Sequence, residues 1–116
     1  MFNFSSSLKI FLCVEPTDMR KSFNGLYAIA KHELKCNPMD GSLFVFANRR
    51  RDRVKLLYWD GTGFWVLAKR LEKGTFWWPR PGEAETGELK IRPEALSMLL
   101  NGIDLKAGSL RAWFGR

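Results

Sequence analysis

The chain has 116 residues, 46% hydrophobic and 27% charged, which is the composition of one globular domain and excludes a disordered protein. Nineteen Lys and Arg against twelve Asp and Glu leave it at +7, a field that concentrates polyanions, nucleic acid above all, although a basic solvated surface has the same composition. Two cysteines, Cys13 and Cys36, and a lone histidine, His32, argue against a disulfide framework or a zinc site.

Residues 1–7 lack the positive region and long apolar core of a signal peptide and read as a short leader. No apolar stretch approaches the roughly 20 residues that cross a bilayer. With both thiols read as buried and reduced, a cytoplasmic protein is expected. Residues 8–14 (LKIFLCV) read as a buried strand that Pro16 ends. Thr17 or Asp18 offers an N-cap, and Met19, Phe23, Leu26, Tyr27, Ala30 and Leu34 fall on one stripe of an amphipathic helix running to Lys35. Its other face carries Arg20, Lys21, Asn24, Lys31 and Lys35; Gly25 weakens the helix without breaking it.

The period then changes. Residues 43–47 (LFVFA), 53–59 (RVKLLYW) and 64–68 (FWVLA) read as three strands joined by short links, with Asp60-Gly61 as a hairpin signal. A further extended piece is expected over residues 75–78, a flexible polar loop over 80–88, and a last strand over 89–91. Pro93 suits the first turn of a short helix whose apolar face is Leu96, Leu99, Leu100 and Ile103, with Gly102 as its stop. Residues 106–116 form a tail. The expectation is a single α+β domain spanning residues 1–116: an antiparallel β-meander of four to five strands against one amphipathic helix, with a short C-terminal helix.

Arg49, Arg50, Arg51, Arg53 and Lys55 crowd one hairpin. Strand alternation puts Arg53, Lys55, Leu57 and Trp59 on one face. Lys69 and Arg70 end the next strand, and Phe76, Trp77 and Trp78 follow. Cations beside rings suit nucleic acid, through phosphate neutralisation and base stacking. An arginine run at a hairpin tip is also a common solvated turn, and paired tryptophans commonly fill a core. Catalytic sets are thin. Among Glu15, Asp18, Asp52, Asp60 and Glu72, Asp18 reads as a cap, Asp60 as a turn former and Asp52 as an ion-pair partner of the arginines. Gly61-Thr62-Gly63 is a hairpin rather than a phosphate-binding loop, so no enzyme, metal or cofactor is expected.

Three stretches carry a resemblance: residues 16–26 (PTDMRKSFNGL), residues 43–61 (LFVFANRRRDRVKLLYWDG), and residues 69–74 (KRLEKG) followed by Phe76 and by Trp78-Pro79. In this order and spacing they resemble the Orf2-like accessory proteins, called TnpB, of insertion sequence 66. Residues 96–104 (LSMLLNGID) resemble the family's closing helix, so the likeness runs from near Leu8 to near Leu105. It implies a protein encoded beside a separate transposase that holds the catalytic acidic residues, and a role in assisting transposition. The unrelated RNA-guided nuclease that shares the name needs a carboxylate and zinc-ribbon pattern absent here.

Matched position by position, the family's basic residues fall on Arg20, Lys21, Arg49, Arg50, Arg51, Arg53, Lys55, Lys69 and Arg70, and its aromatic ones on Tyr58, Trp59, Phe76 and Trp78. With Trp59, the basic set forms the candidate nucleic-acid surface. Two functions remain open: a DNA-binding accessory factor, and an adaptor that docks on the element-encoded transposase through exposed rings. A second copy of the chain is a further candidate partner.

Overall fold

The computed structural model describes residues 7–80, 82 and 87–102. It has five strands, β1 (Ile10–Cys13), β2 (Leu43–Ala47), β3 (Arg53–Trp59), β4 (Phe64–Arg70) and β5 (Glu88–Ile91), in one sheet of order β4-β3-β2-β1-β5. The α+β class is as expected, but the sheet is not wholly antiparallel. β2, β3 and β4 form the expected meander, whereas β1 pairs parallel with β2, with Ile10 opposite Leu43. The reason is the connection: a helix lies between β1 and β2, and a helical crossover returns the chain in the same direction. β5 then closes the other side of β1, antiparallel.

That crossover helix, α1 (Phe23–Ala28), continues into a wider π turn over Ile29–Glu33. It starts later than the sequence suggests. Asp18 does not cap it: the Asp18 carboxylate accepts from the Arg20 backbone N–H at 2.9 Å and binds the Arg20 guanidinium, which closes a separate turn before the helix. Short acidic side chains favour such local loops over helix. Thr17 is buried and its N–H donates to the Ala47 carbonyl. Within the apolar stripe, Leu26, Ala30 and Leu34 are buried with Ile29, but Phe23, the first helical residue, is 49% exposed. Gly25 has a packing reason: a Cβ there would meet Lys21 Cβ and Cγ at 3.0 Å.

The second helix, α2 (Pro93–Leu100), opens with Pro93 in its first turn and ends at Gly102, whose φ of +80° suits glycine. It covers the opposite face of the sheet from α1. Leu43, Val45 and Ala47 of β2 pack with Leu96 and Leu99, while Phe44 and Phe46 pack with Leu26 and Ile29. Two covered faces explain why β2 is apolar at every position rather than alternating. Residues 75–78 are not a strand. Phe76, Trp77 and Trp78 are buried on the α2 face, and Trp78 Nε1 donates to the Cys13 carbonyl at 2.9 Å. The expected loop over 80–88 lies mostly outside the described residues, although Glu88 already belongs to β5; leader residues 1–6 and the 106–116 tail lie outside as well.

Candidate nucleic-acid interface

The link between β2 and β3 is held open and rigid by Asn48. Its Oδ1 accepts from the backbone N–H groups of Asp52 and Arg53, both at 3.1 Å, and its Nδ2 donates to Asp52 Oδ1 at 2.7 Å. That bond, the leading cause, holds the Asp52 carboxyl below the usual carboxylate range. Arg51 sits at φ +62°, a conformation that costs a non-glycine residue of the order of 1 kcal/mol. The turn is also tied to the chain beyond β4, with the Leu71 N–H donating to the Asp52 carbonyl and the Phe76 N–H to that of Arg51. Arg49 and Arg50 therefore project from fixed backbone into solvent.

Two grooves meet beside this turn. One, of about 720 Å³, is lined by residues 16–20, by Asn48, Arg49, Arg50, Asp52 and Arg53, and by Arg70. The other, of about 400 Å³, shares Met19, Arg53 and Arg70 with it and adds Lys55, Lys69 and Glu72. Together they gather Arg20, Arg49, Arg50, Arg53, Lys55 and Arg70 against Asp18, Asp52 and Glu72, a net charge of +3; Lys69 also lines the second groove, but its Nζ turns to the α2 face. Segments far apart in sequence thus converge on one basic cleft.

Strand register puts Arg53 directly opposite Arg70, both exposed. Like charges in that position destabilise a sheet. The carboxylates relieve this only in part. Arg70 Nε lies 3.1 Å from Glu72, with both side chains exposed, and Arg50 stands 4.0 Å from Asp52 while 85% exposed. Arg20 binds Asp18 at 2.7 Å, which lowers the Asp18 carboxyl to about 2. Arg49 and Arg53 make no ion pair among the described residues. The two lysines also reach backbone: Lys55 Nζ donates to the Lys21 carbonyl at 2.8 Å, and Lys69 Nζ to the Leu100 carbonyl, at the end of α2, at 2.7 Å.

Lys21, Arg51 and Trp59 do not line the cleft. Lys21 lies at its edge through that carbonyl bond. The Arg51 guanidinium sits 5.9 Å from the Trp78 ring centroid, and its partial burial, then nearby Arg49, lowers its pKa. Trp59 stands at the far end of β3, its ring 4.9 Å from that of Phe64. Beside it, Asp60 accepts from the Thr62 and Gly63 N–H groups and from Trp65 Nε1, not from an arginine. Sequence reading missed Asn48 and the Arg53–Arg70 opposition. An Asn opening an arginine-rich hairpin loop was a turn signal; the opposition needed the register. Among the described residues, no group of three or more His, Cys, Asp and Glu is placed to hold a metal ion, and no helix is long and apolar enough to cross a membrane.

Residues 8–109 match the family model described as IS66 Orf2 like protein. The chain is similar to two proteins of Sinorhizobium fredii (strain NBRC 101917 / NGR234). It is 38% identical to "Uncharacterized protein y4jC" over 86% of this chain and 83% of that one. It is 41% identical to "Uncharacterized protein y4hO" over 84% and 83%. No solved structure matches.

Proposed function

The chain belongs to the IS66 Orf2-like family, and from that premise we propose that it serves transposition as a non-catalytic DNA-binding factor that grips phosphates through the arginine cleft. The observation that carries this reading is the Arg53–Arg70 opposition inside a net-positive groove. A sheet gains nothing from two facing guanidiniums, but an incoming phosphate removes their repulsion and accepts charge-assisted hydrogen bonds from both. Arg49 and Arg50 extend the same surface from the Asn48-fixed turn. Arginine suits the role because its fork matches phosphate oxygens in pairs.

The test is a DNA-binding titration across salt concentrations, with wild type set against a variant carrying Arg49, Arg50, Arg53 and Arg70 all changed to Ala. Arg51 is spared because it packs on Trp78. The expected result is a loss of at least about 100-fold in affinity, with the log–log salt slope shallower by about three to four. Unchanged affinity and slope would reject the reading.

A specific observation favours a second role, that of an adaptor on the transposase. Trp65 is 55% exposed yet pinned by its hydrogen bond to Asp60. An exposed ring fixed in one orientation loses little entropy on docking, and tryptophans anchor protein interfaces. Such docking would depend only weakly on salt and would be lost in Trp65→Ala.

A further inference from the structure

Resting on the DNA-binding reading above, we infer that the cleft takes double-stranded DNA, held through its phosphates, rather than a single strand held through its bases. Among the described residues, the lining of the two grooves contains cations, carboxylates, Asn48 and short apolar groups, with Met19 the largest apolar one, and no aromatic ring. Single-strand binders place rings along a basic groove so that successive bases can stack. The described tryptophans are all elsewhere. Trp77 and Trp78 are buried. Trp59 and Trp65 lie at the opposite end of the β3–β4 hairpin, where Trp59 packs against Phe64 and Trp65 bonds Asp60.

Rigidity points the same way. Arg53 and Arg70 stand on paired strands, and Arg49 and Arg50 on a loop closed by Asn48 and anchored to Leu71 and Phe76. A duplex presents its phosphates on a lattice that is already ordered, so a fixed array of guanidiniums meets it with little further ordering. A single strand must be ordered on binding, and this cleft supplies no stacking to offset that cost. Phosphate contacts carry no direct sequence information, so binding to a duplex would vary little with sequence.

One exposed ring, Phe23, stands near the cleft, next to Ser22 and Lys21 but outside both grooves, and it supplies a control. Fluorescence anisotropy would compare a labelled duplex with an oligo-dT strand of equal length, for wild type and for Phe23→Ala. The expectation is that the duplex binds at least about tenfold more tightly, with a salt slope near −0.9 per contact, and that Phe23→Ala leaves duplex and single-strand affinities within about twofold. A base-stacking role for Phe23 would instead cost the single strand about five- to 100-fold. Equal or tighter binding of the single strand, or such a loss in Phe23→Ala, overturns the duplex inference and leaves DNA binding standing. No binding of either form overturns both.

Discussion

The two ends of the β3–β4 hairpin are built from the same pair of strands and solve opposite problems. At the loop end, Trp59 faces Phe64 in register, the rings pack at 4.9 Å, and Tyr27 of α1 meets Phe64 edge-on at 5.7 Å. Asp60 then satisfies the turn amides. At the other end, roughly 20 Å away by strand rise, Arg53 faces Arg70, and among the described residues no ring lines the grooves beside them. The ring packing and the turn of the loop end, the exposed Trp65 apart, are accounted for by folding. At the arginine end, two like charges face each other in register, an arrangement that costs a sheet stability, and the proposed phosphate contacts would offset that cost.

Separate variants can break that division. The largest stability effect belongs to Phe64→Ala, which removes the ring shared by Trp59 and Tyr27. A loss of about 2–3 kcal/mol is expected in urea unfolding. DNA affinity, measured where the variant is still folded, should stay within about twofold. If affinity fell along with stability, the two ends would not be separable and the contrast would fail.

Acid sharpens the comparison next. The turn amides, led by that of Thr62, lower the Asp60 carboxyl from 3.8 to about 2. Its folded pKa lies below its unfolded one, so its contribution is complete above pH 4 and is lost as pH falls towards 2. Asp18 titrates over the same window at the basic end, through its bond to Arg20. Thermal midpoints of wild type and of Asp60→Asn, followed from pH 5 to 2, separate the two carboxyls. The acid-induced drop should be smaller in Asp60→Asn, and an unchanged drop would remove Asp60 from the account of the loop end.

Much of this was legible in the sequence because it depends on neighbours. The 3.6 and 2 periods, Asp60-Gly61, Pro93 and Gly102 are local signals, and they located most of the elements. The direction of β1 was not legible: an apolar run shows burial, not orientation, and only the crossover past α1 made the β1–β2 pair parallel. The start of α1 was misread because Asp18 has two local uses, and the Arg20 turn won over the cap. The arginine hairpin was visible as composition. Its union with Arg20 and Arg70 required the fold, whereas the distance of Trp59 was already contained in the six residues of strand rise that separate it from Arg53 on their shared face.

The smallest expected effect bears most directly on the contrast. In Arg53→Gln the strand keeps a long polar side chain but loses one of the two opposed charges. If the arginine end is strained electrostatically, this variant should be more stable than wild type by about 0.2–1 kcal/mol, while binding DNA several-fold less well. Packing gives no reason for a gain, since Arg53 is exposed and forms no ion pair among the described residues. Salt identifies the origin. Screening at about 1 M, where the Debye length is about 3 Å, should raise the wild type towards the variant and leave the variant nearly unmoved. A gain that persisted unchanged in high salt would point to side-chain conformation instead of charge. A loss of stability would mean that Arg53 serves the fold, and the arginine end would then need no ligand to explain it.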